Sequence, residues 1–335
     1  MAPTIKDIAK LANVSHTTVS RALNNSPRIR ENTRRKIMEI AQQIGYIPNY
    51  NAKSLVMQRS YTIGLFFTSI AKGTSASFFS DTIRGVNRMV DVGYNLFVRG
   101  IDDYEEYSAI NRKRFDGIVL MSQSEADNRF IYHVLGQDIP LVVLNRQVED
   151  DAVVNIIPND REGAYTACRH LIEHGHTDIA LIEGMEEYKS TQERREGFVQ
   201  CMIDHKLPVR GQYMVKGRYD VQSGYEAMNQ LLELSAPPSA VFCSNDDMAI
   251  GAMKSAFGRG LQIPRDLSLI GFDDIGFSSY TNPALTTVKR PIEQISREGA
   301  RKLLSLIGQP QPAGERVFVR TELVSRESVA LRDRR

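Results

Sequence analysis

Between Ser15 and Leu23 the chain reads Ser-His-Thr-Thr-Val-Ser-Arg-Ala-Leu, a run in which polar groups recur at helical spacing. His16, Thr17 and Arg21 fall on one side, Arg21 about a turn beyond Thr17, while Val19 and Leu23 face a small core. Imidazole, hydroxyl and guanidinium groups at the N-terminal end of a helix can hydrogen-bond to base edges in the DNA major groove. A second set, Cys168, His170, His174 and His176, places two histidines at i and i+4, a spacing that metal ligands use. No further ligand pair at metal-site spacing follows, and Gly175-His176 reads as a helix stop before a strand, so no metal site is expected. The sequence also lacks Gly-x-Ser-x-Gly, Gly-x-x-x-x-Gly-Lys-Ser/Thr, and a Gly-x-Gly-x-x-Gly after its first strand. The expectation is a protein that is not an enzyme and takes no cofactor.

The base-reading groups need helices to hold them. Thr4 is a good N-cap, and Asp7 can return its hydrogen bond as a variant capping box ahead of Ile8, Ala9 and Leu11. A helix is predicted over 5–12, ended by Asn13 in the left-handed conformation, with Val14 beneath the turn and Ser15 capping a second helix over 16–23. Asn24-Asn-Ser-Pro27 breaks the chain, and a third helix over 31–44 presents Ile37, Ile40, Ala41 and Ile44 on one stripe before Gly45. Two helices joined so tightly, with a third beside them, make a helix-turn-helix unit.

Charge agrees with that reading. Residues 1–59 hold ten Lys/Arg against three acids, whereas the rest holds 32 against 37, so the net charge of +2 conceals a basic head on an acidic body. A basic head points to a polyanion. At 335 residues, 42% apolar and 24% charged, the chain is globular and long enough for two or three domains. No stretch approaches about 20 uninterrupted apolar residues and no signal-peptide pattern opens the sequence, so neither membrane insertion nor secretion is expected. Cys168, Cys201 and Cys243 are an odd set at wide spacing, which suits buried thiols in a reducing cytosol.

From Tyr61 onward, short apolar runs alternate with amphipathic stretches. Strands are expected at 63–67, 95–98, 117–121, 141–144, 179–182, 240–243, 267–271 and 287–289, and helices at 79–92, 162–174, 192–205, 224–234, 248–257 and 292–307. Repeated strand-helix-strand units predict mostly parallel sheets in two lobes, with a ligand cleft at the carboxyl ends of the strands.

Thr4-Ile-Lys-Asp-Ile-Ala-Lys10, Ala12-Asn-Val-Ser15, Thr18-Val-Ser-Arg21 and Tyr46-Ile-Pro-Asn-Tyr-Asn-Ala-Lys-Ser-Leu55 together resemble the head and hinge of the lactose/galactose-repressor (LacI/GalR) family of bacterial transcriptional regulators. The resemblance continues through Ile63-Gly-Leu65, Asp116-Gly-Ile118, Gly175-His-Thr-Asp-Ile-Ala180, Ser244-Asn-Asp-Asp-Met-Ala-Ile-Gly-Ala-Met253, Gly271-Phe-Asp-Asp274 and Leu285-Thr-Thr-Val-Lys289. It implies a small all-α helix-turn-helix head over 1–47, a hinge over 48–60, and a two-lobed α/β body over 61–335. That body would be of the type I periplasmic-binding-protein kind, with parallel sheets flanked by helices. Its N-lobe would take about 61–160 and 292–320, its C-lobe about 161–290 plus the C-terminal segment, the chain crossing between them three times. Besides His16, Thr17 and Arg21, the implied DNA contacts are Thr4, Ser15, Thr18, Ser20 and Asn24. Asn49, Ala52, Lys53 and Leu55 join them in a hinge helix that forms only on the operator. Leu55 would be the wedge that opens a central minor-groove step.

A sugar pocket needs carboxylates and amides for vicinal hydroxyls, a charged fork for paired oxygens, and an aromatic face for the ring. By motif matching, the family's effector contacts fall on Asp160, Ser190, Arg194, Asn245 and Asp273, and by looser matching on Tyr219, Phe78 or Phe79, and Arg290. Arg194 has an alternative reading, a surface arginine paired to Glu193 or Glu196. Asp246 and Asp274 read equally well as helix caps or structural acids. The stretches 71–77 and 183–189 give no assignment.

The resulting expectation is a cytoplasmic, nucleoid-associated regulator, a repressor of carbohydrate-utilisation genes. It would bind a near-palindromic operator as a homodimer and answer to a small sugar or sugar phosphate. Tetrameric family members add an apolar heptad helix at the C-terminus, and Val329-Ala-Leu-Arg-Asp-Arg-Arg335 is too short for one. One alternative keeps the family but has a phosphocarrier protein or metabolite strengthen binding. More remote are a solute-binding protein, which would carry a signal peptide and no basic head, and an enzyme with an accessory DNA-binding head.

Overall fold

The computed structural model describes residues 3–23, 26–46, 59–90, 93–309 and 314–332. It divides into two compact units, Met1–Arg59 and Ser60–Arg335.

In the first unit, helices α1 (Ile5–Ala12), α2 (His16–Leu23) and α3 (Glu31–Gln43) enclose Ile8, Ala12, Val19, Ala22, Ile37 and Ala41. At the start of α1 the Asp7 carboxylate accepts from the Thr4 amide at 2.8 Å and the Thr4 hydroxyl at 2.7 Å. These bonds hold Asp7 below the usual carboxylate range. Asn13 ends α1 in the left-handed conformation at φ +55°, which turns the Val14 amide back onto the Ala9 carbonyl at 3.0 Å. Ser15 Oγ then accepts the Thr18 amide at 3.1 Å and opens α2. The helix-turn-helix geometry thus rests on one permissive backbone position and two local caps.

The second unit contains two six-stranded sheets. Sheet one takes β1 (Thr62–Phe67), β2 (Asn95–Gly100), β3 (Gly117–Met121), β4 (Leu141–Leu144), β5 (Val154–Pro158) and β11 (Arg316–Val319), in the order β11-β5-β4-β3-β1-β2, all parallel. Sheet two takes β6 (Ile179–Glu183), β7 (Met214–Lys216), β8 (Ala240–Cys243), β9 (Ser268–Asp273), β10 (Thr286–Lys289) and β12 (Glu322–Val324), in the order β12-β10-β9-β8-β6-β7. Only β12 runs antiparallel, against β10. Helices α4 (Ala76–Val90), α5 (Asn128–Gly136) and α10 (Ile292–Leu306) cover the first sheet. Helices α6 (Asp160–Glu173), α7 (Lys189–Asp204), α8 (Val221–Leu232) and α9 (Asp246–Gly258) cover the second.

Cover on both faces explains why the strands are continuous apolar runs. In β1, Ile63, Leu65 and Phe67 join the core with Val86 and Leu303, while Phe66 joins Phe130 and Ile131 on the other side. The chain passes from one sheet to the other after β5, after β10 and after β11.

Four strands, β5, β7, β11 and β12, and helix α5 go beyond the elements expected from the sequence. β11 and β12 are short edge strands of mixed exposure, and β7 has three residues, so none carries a full period of alternation. β5 conceals Asn155 among apolar residues, its amide oxygen taken by the Val148 amide at 2.9 Å.

Candidate functional site

On the head, His16, Thr17 and Arg21 project from α2 into solvent. Thr4 and Ser15 are exposed but spend their side chains on helix ends, and the Thr18 hydroxyl shares a hydrogen bond with Ser15 at 2.9 Å. Ser20 is half-buried. Asn24, Asn49, Ala52, Lys53 and Leu55 lie outside the described residues.

On the body, a pocket forms where the carboxyl ends of the two sheets face each other. Gly73, Ser75, Phe78 and Gln123 line it from one lobe, Ser190, Arg194, Tyr219, Asn245 and Asp273 from the other, and Arg290 from the crossover after β10. It adjoins a larger cavity of about 530 Å3 that shares Gly73, Ser75 and Tyr219 and adds Lys72, Met185, Arg218, Asp220 and Asp247.

Arg194 is the centre of the arrangement, 1% exposed although it is a charged residue of a helix. Its Nη2 lies 3.3 Å from Asp160 Oδ2 and 3.3 Å from Asp273 Oδ1, and its Nη1 donates to the Ser244 carbonyl. Burial disfavours its charge, yet Asp160 and Asp273 outweigh that and hold the guanidinium above its ordinary pKa. The surface alternative fails for a specific reason: Glu193 and Glu196 pair with Arg161 instead.

Arg290 is buried alongside, its Nε 3.1 Å from Asp160 Oδ1 and its Nη2 donating to Asn145 of the first lobe. Two cations and two carboxylates therefore compensate one another. Compensation is incomplete at the level of hydrogen bonds: Arg194 Nε, Arg290 Nε and Asp160 Oδ1 have no directed partner among the described residues. Arg290 Nε and Asp160 Oδ1 face each other as an ion pair, which leaves Arg194 Nε as the donor of the set without a partner among the described residues. Burial raises Asp273, opposed by both arginines, and raises Asp247 at the outer cavity to about 6.

Of the effector residues expected from the sequence, Ser190, Arg194, Tyr219, Asn245, Asp273, Arg290 and Phe78 line the pocket. Asp160 stands behind Arg194 and Arg290, anchoring both without joining the lining. Phe79 turns into the first-lobe core, its ring 5.1 Å from that of Phe67. Asp246 is structural: fully buried, it accepts from the Ile275 amide at 2.9 Å and from the hydroxyls of Ser278 and Thr287 at 2.6 and 2.5 Å. Asp274 pairs with Arg326 at 2.5 Å. Of the histidine set, His174 Nδ1 contacts the His170 carbonyl at 2.7 Å. No cluster of three metal-ligating side chains occurs among the described residues. Ser75 and Gln123 were not singled out. Both follow strands of the first sheet, β1 and β3, at the carboxyl end where such folds place ligands.

A helix-turn-helix head preceding a bilobal body with a buried, charge-balanced cleft defines a DNA-binding regulator with a ligand-receiving domain. Residues 4–49 match the bacterial regulatory proteins of the lacI family and residues 168–329 a periplasmic binding protein-like domain. The chain is 60% identical over 326 residues to a probable HTH-type transcriptional repressor, ExuR, of Bacillus subtilis (strain 168), covering 97% of this chain and 98% of that one. Among solved structures it resembles the lac repressor dimer bound to operator and the anti-inducer ONPF, with a TM-score of 0.83, 25% identity, and 98% and 100% of the two chains covered. It also resembles the regulator CelR in complex with cellobiose, with a TM-score of 0.74, 25% identity, and 97% and 99% covered. The chain belongs to the lacI family of bacterial regulatory proteins. No described helix is long and apolar enough to cross a membrane.

Proposed function

We propose that the chain is a cytoplasmic repressor that binds a near-palindromic operator as a homodimer and is switched by a carbohydrate or sugar derivative held between its lobes. The observation that carries the effector reading is Arg194, buried between Asp160 and Asp273 with its Nε unpaired beside the cleft. A charged fork fixed in that way can clamp two oxygens of a polyol or acid group, with Ser190, Asn245, Asp273 and Gln123 available to further hydroxyls and Phe78 to the ring face. The cellobiose in the CelR complex is the kind of ligand such a cleft accommodates.

The DNA reading rests on the exposed His16, Thr17 and Arg21 of α2 and on the basic composition of residues 1–59. Thr4, Ser15, Thr18, Ser20, Asn24, Asn49, Ala52 and Lys53 are proposed as supporting contacts and Leu55 as a minor-groove wedge. A ligand shifts the protein only by binding one arrangement of the lobes more tightly than another. Because two heads must engage two half-sites at fixed spacing, a change in lobe angle within a dimer is enough to alter affinity.

The test is a thermal-shift screen of the full chain against neutral sugars, sugar acids and sugar phosphates, followed by operator-binding assays with each hit. A compound that raises the midpoint and changes DNA affinity identifies the effector class. A library with no hit, or a hit whose effect survives Arg194→Lys unchanged, removes the cleft assignment.

A further inference from the structure

Tyr188 is absent from the pocket lining, yet it joins the two lobes on the rim of that pocket. It immediately precedes α7 in the second lobe, is 3% exposed, and donates its hydroxyl at 3.0 Å to the backbone carbonyl of Lys72 in the first. The adjacent amide repeats the crossing, Lys189 N–H donating to the Gln123 carbonyl at 2.8 Å.

The segment that receives these bonds is braced. The Lys72 amide donates to Ser69 Oγ at 3.1 Å, the Thr74 hydroxyl to the Ser69 carbonyl at 2.6 Å, and Gln123 Nε2 to Thr74 Oγ1 at 3.3 Å. Gly73 sits at φ +64°, and a Cβ there would stand 2.5 Å from Met185 Sδ and 2.6 Å from the Tyr188 ring. The first-lobe turn is thus seated under two second-lobe side chains, with glycine the residue that permits the approach. On its other side Tyr188 stacks on Tyr219, centroids 6.1 Å apart and planes 18° from parallel. The Tyr219 hydroxyl contacts Thr191 and Ser190 at 2.7 and 3.2 Å, and its ring lines the pocket. One ring therefore touches both the closure contact and the wall of the cleft.

We propose that Tyr188 is a positioning residue for the effector response, the latch whose bond to the Lys72 carbonyl and seat over Gly73 set the balance between open and closed lobes. Ligand contacts at Tyr219 reach the latch through the ring stack. Closed lobes are populated before a ligand arrives, and the apparent affinity for any ligand of the closed form scales with that population. The inference rests on the cleft being the effector site; its test uses no effector, so a failed latch and a failed cleft assignment give different results.

The test is a pulsed electron-spin distance measurement on the full chain. Labels go on Glu106→Cys in the first lobe and Gln212→Cys in the second, both exposed, while the native thiols of Cys168, Cys201 and Cys243 are buried. Tyr188→Phe keeps the ring and the stack and deletes the hydroxyl's bond to the Lys72 carbonyl, leaving the Lys189–Gln123 backbone crossing in place. It should move the population toward longer distances by roughly two- to tenfold, the worth of one hydrogen bond, with the thermal midpoint unchanged. Gly73→Ala, which leaves the tyrosine in place, should prop the lobes apart in the same direction, and it serves as the reading should Tyr188→Phe fail to fold. A distance distribution identical to wild type in either folded variant overturns the latch. So does a shift in Tyr188→Phe that appears only together with a lowered midpoint, which would mark Tyr188 as general packing; Gly73→Ala, strained by its own backbone at φ +64°, is read by distance alone.

Discussion

The guanidinium carbon of Arg194 lies 3.9 Å from the centroid of the Phe272 ring. With one face on an aromatic, the cation keeps its N–H edges for the Ser244 carbonyl, for Asp160 and Asp273, and for the cleft. Phe272 and Asp273 are consecutive in β9, so one strand supplies both the platform and an anchor.

The first prediction follows from that seat. Arg194→Ala leaves two buried carboxylates with Arg290 as their remaining cation, and should lower unfolding stability in urea by about 3 kcal/mol. Arg194→Lys keeps the charge but loses the planar fork and the Phe272 face. It should cost less stability and still abolish ligand-dependent change in operator binding, as read by titration of labelled DNA.

The second concerns pH. Burial raises Asp246 to about 7, whereas its unfolded-state value is the ordinary 3.8. Between those values the native state binds the extra proton, so this group's contribution to stability is fully present below about pH 4 and is lost as pH rises through about 7. His176 works in the opposite sense: burial lowers it to about 4, and its contribution is lost as pH falls from about 6.5 toward 4. Asp246→Asn retains the shape and cannot ionise. The stability difference between variant and wild type should move in the variant's favour from pH 4 to 7 and be flat above, as measured by denaturant midpoints in a pH series.

The third tests the turn of the head. Asn13 at φ +55° sits where a β-branched side chain collides with its own backbone. Asn13→Val should cost the head about 1 to 2 kcal/mol, and Asn13→Gly close to nothing. Far-ultraviolet circular dichroism during thermal unfolding of the full chain reports both.

The fourth concerns readout. Exchanging His16 and Thr17 should change the preferred operator sequence in selection from a randomised duplex pool, each lost base contact costing about 1 to 3 kcal/mol. Uniform weakening across all sequences would place both residues on phosphates.

The fold was legible wherever signals were local. Asn13 and Ser15 announce a helix stop and a helix start within three residues, and the structure realises both. The apolar runs of β3, β4 and β8 were readable to the residue because burial on both faces leaves no polar member. Helix α5 escaped because its sequence, Asn-Arg-Phe-Ile-Tyr-His-Val-Leu-Gly, is short and rich in residues of low helix propensity. Within the cleft, resemblance located Arg194 but nothing in the chain near it predicts its complete burial. That comes from Asp160 and Asp273, 34 and 79 residues away. Ser75 and Gln123 depend on how the lobes face each other, which no single window of sequence records.

The three passages between the lobes impose an order on the making of the molecule. The three described helices of the head are in place once residue 43 has been synthesised. Neither sheet of the body is complete until residues 316–324 supply an edge strand to each, β11 beside β5 and β12 beside β10. A nascent chain therefore carries a DNA-reading head long before it owns a finished sensor, and the two lobes come to completion almost together, within a few residues of chain growth.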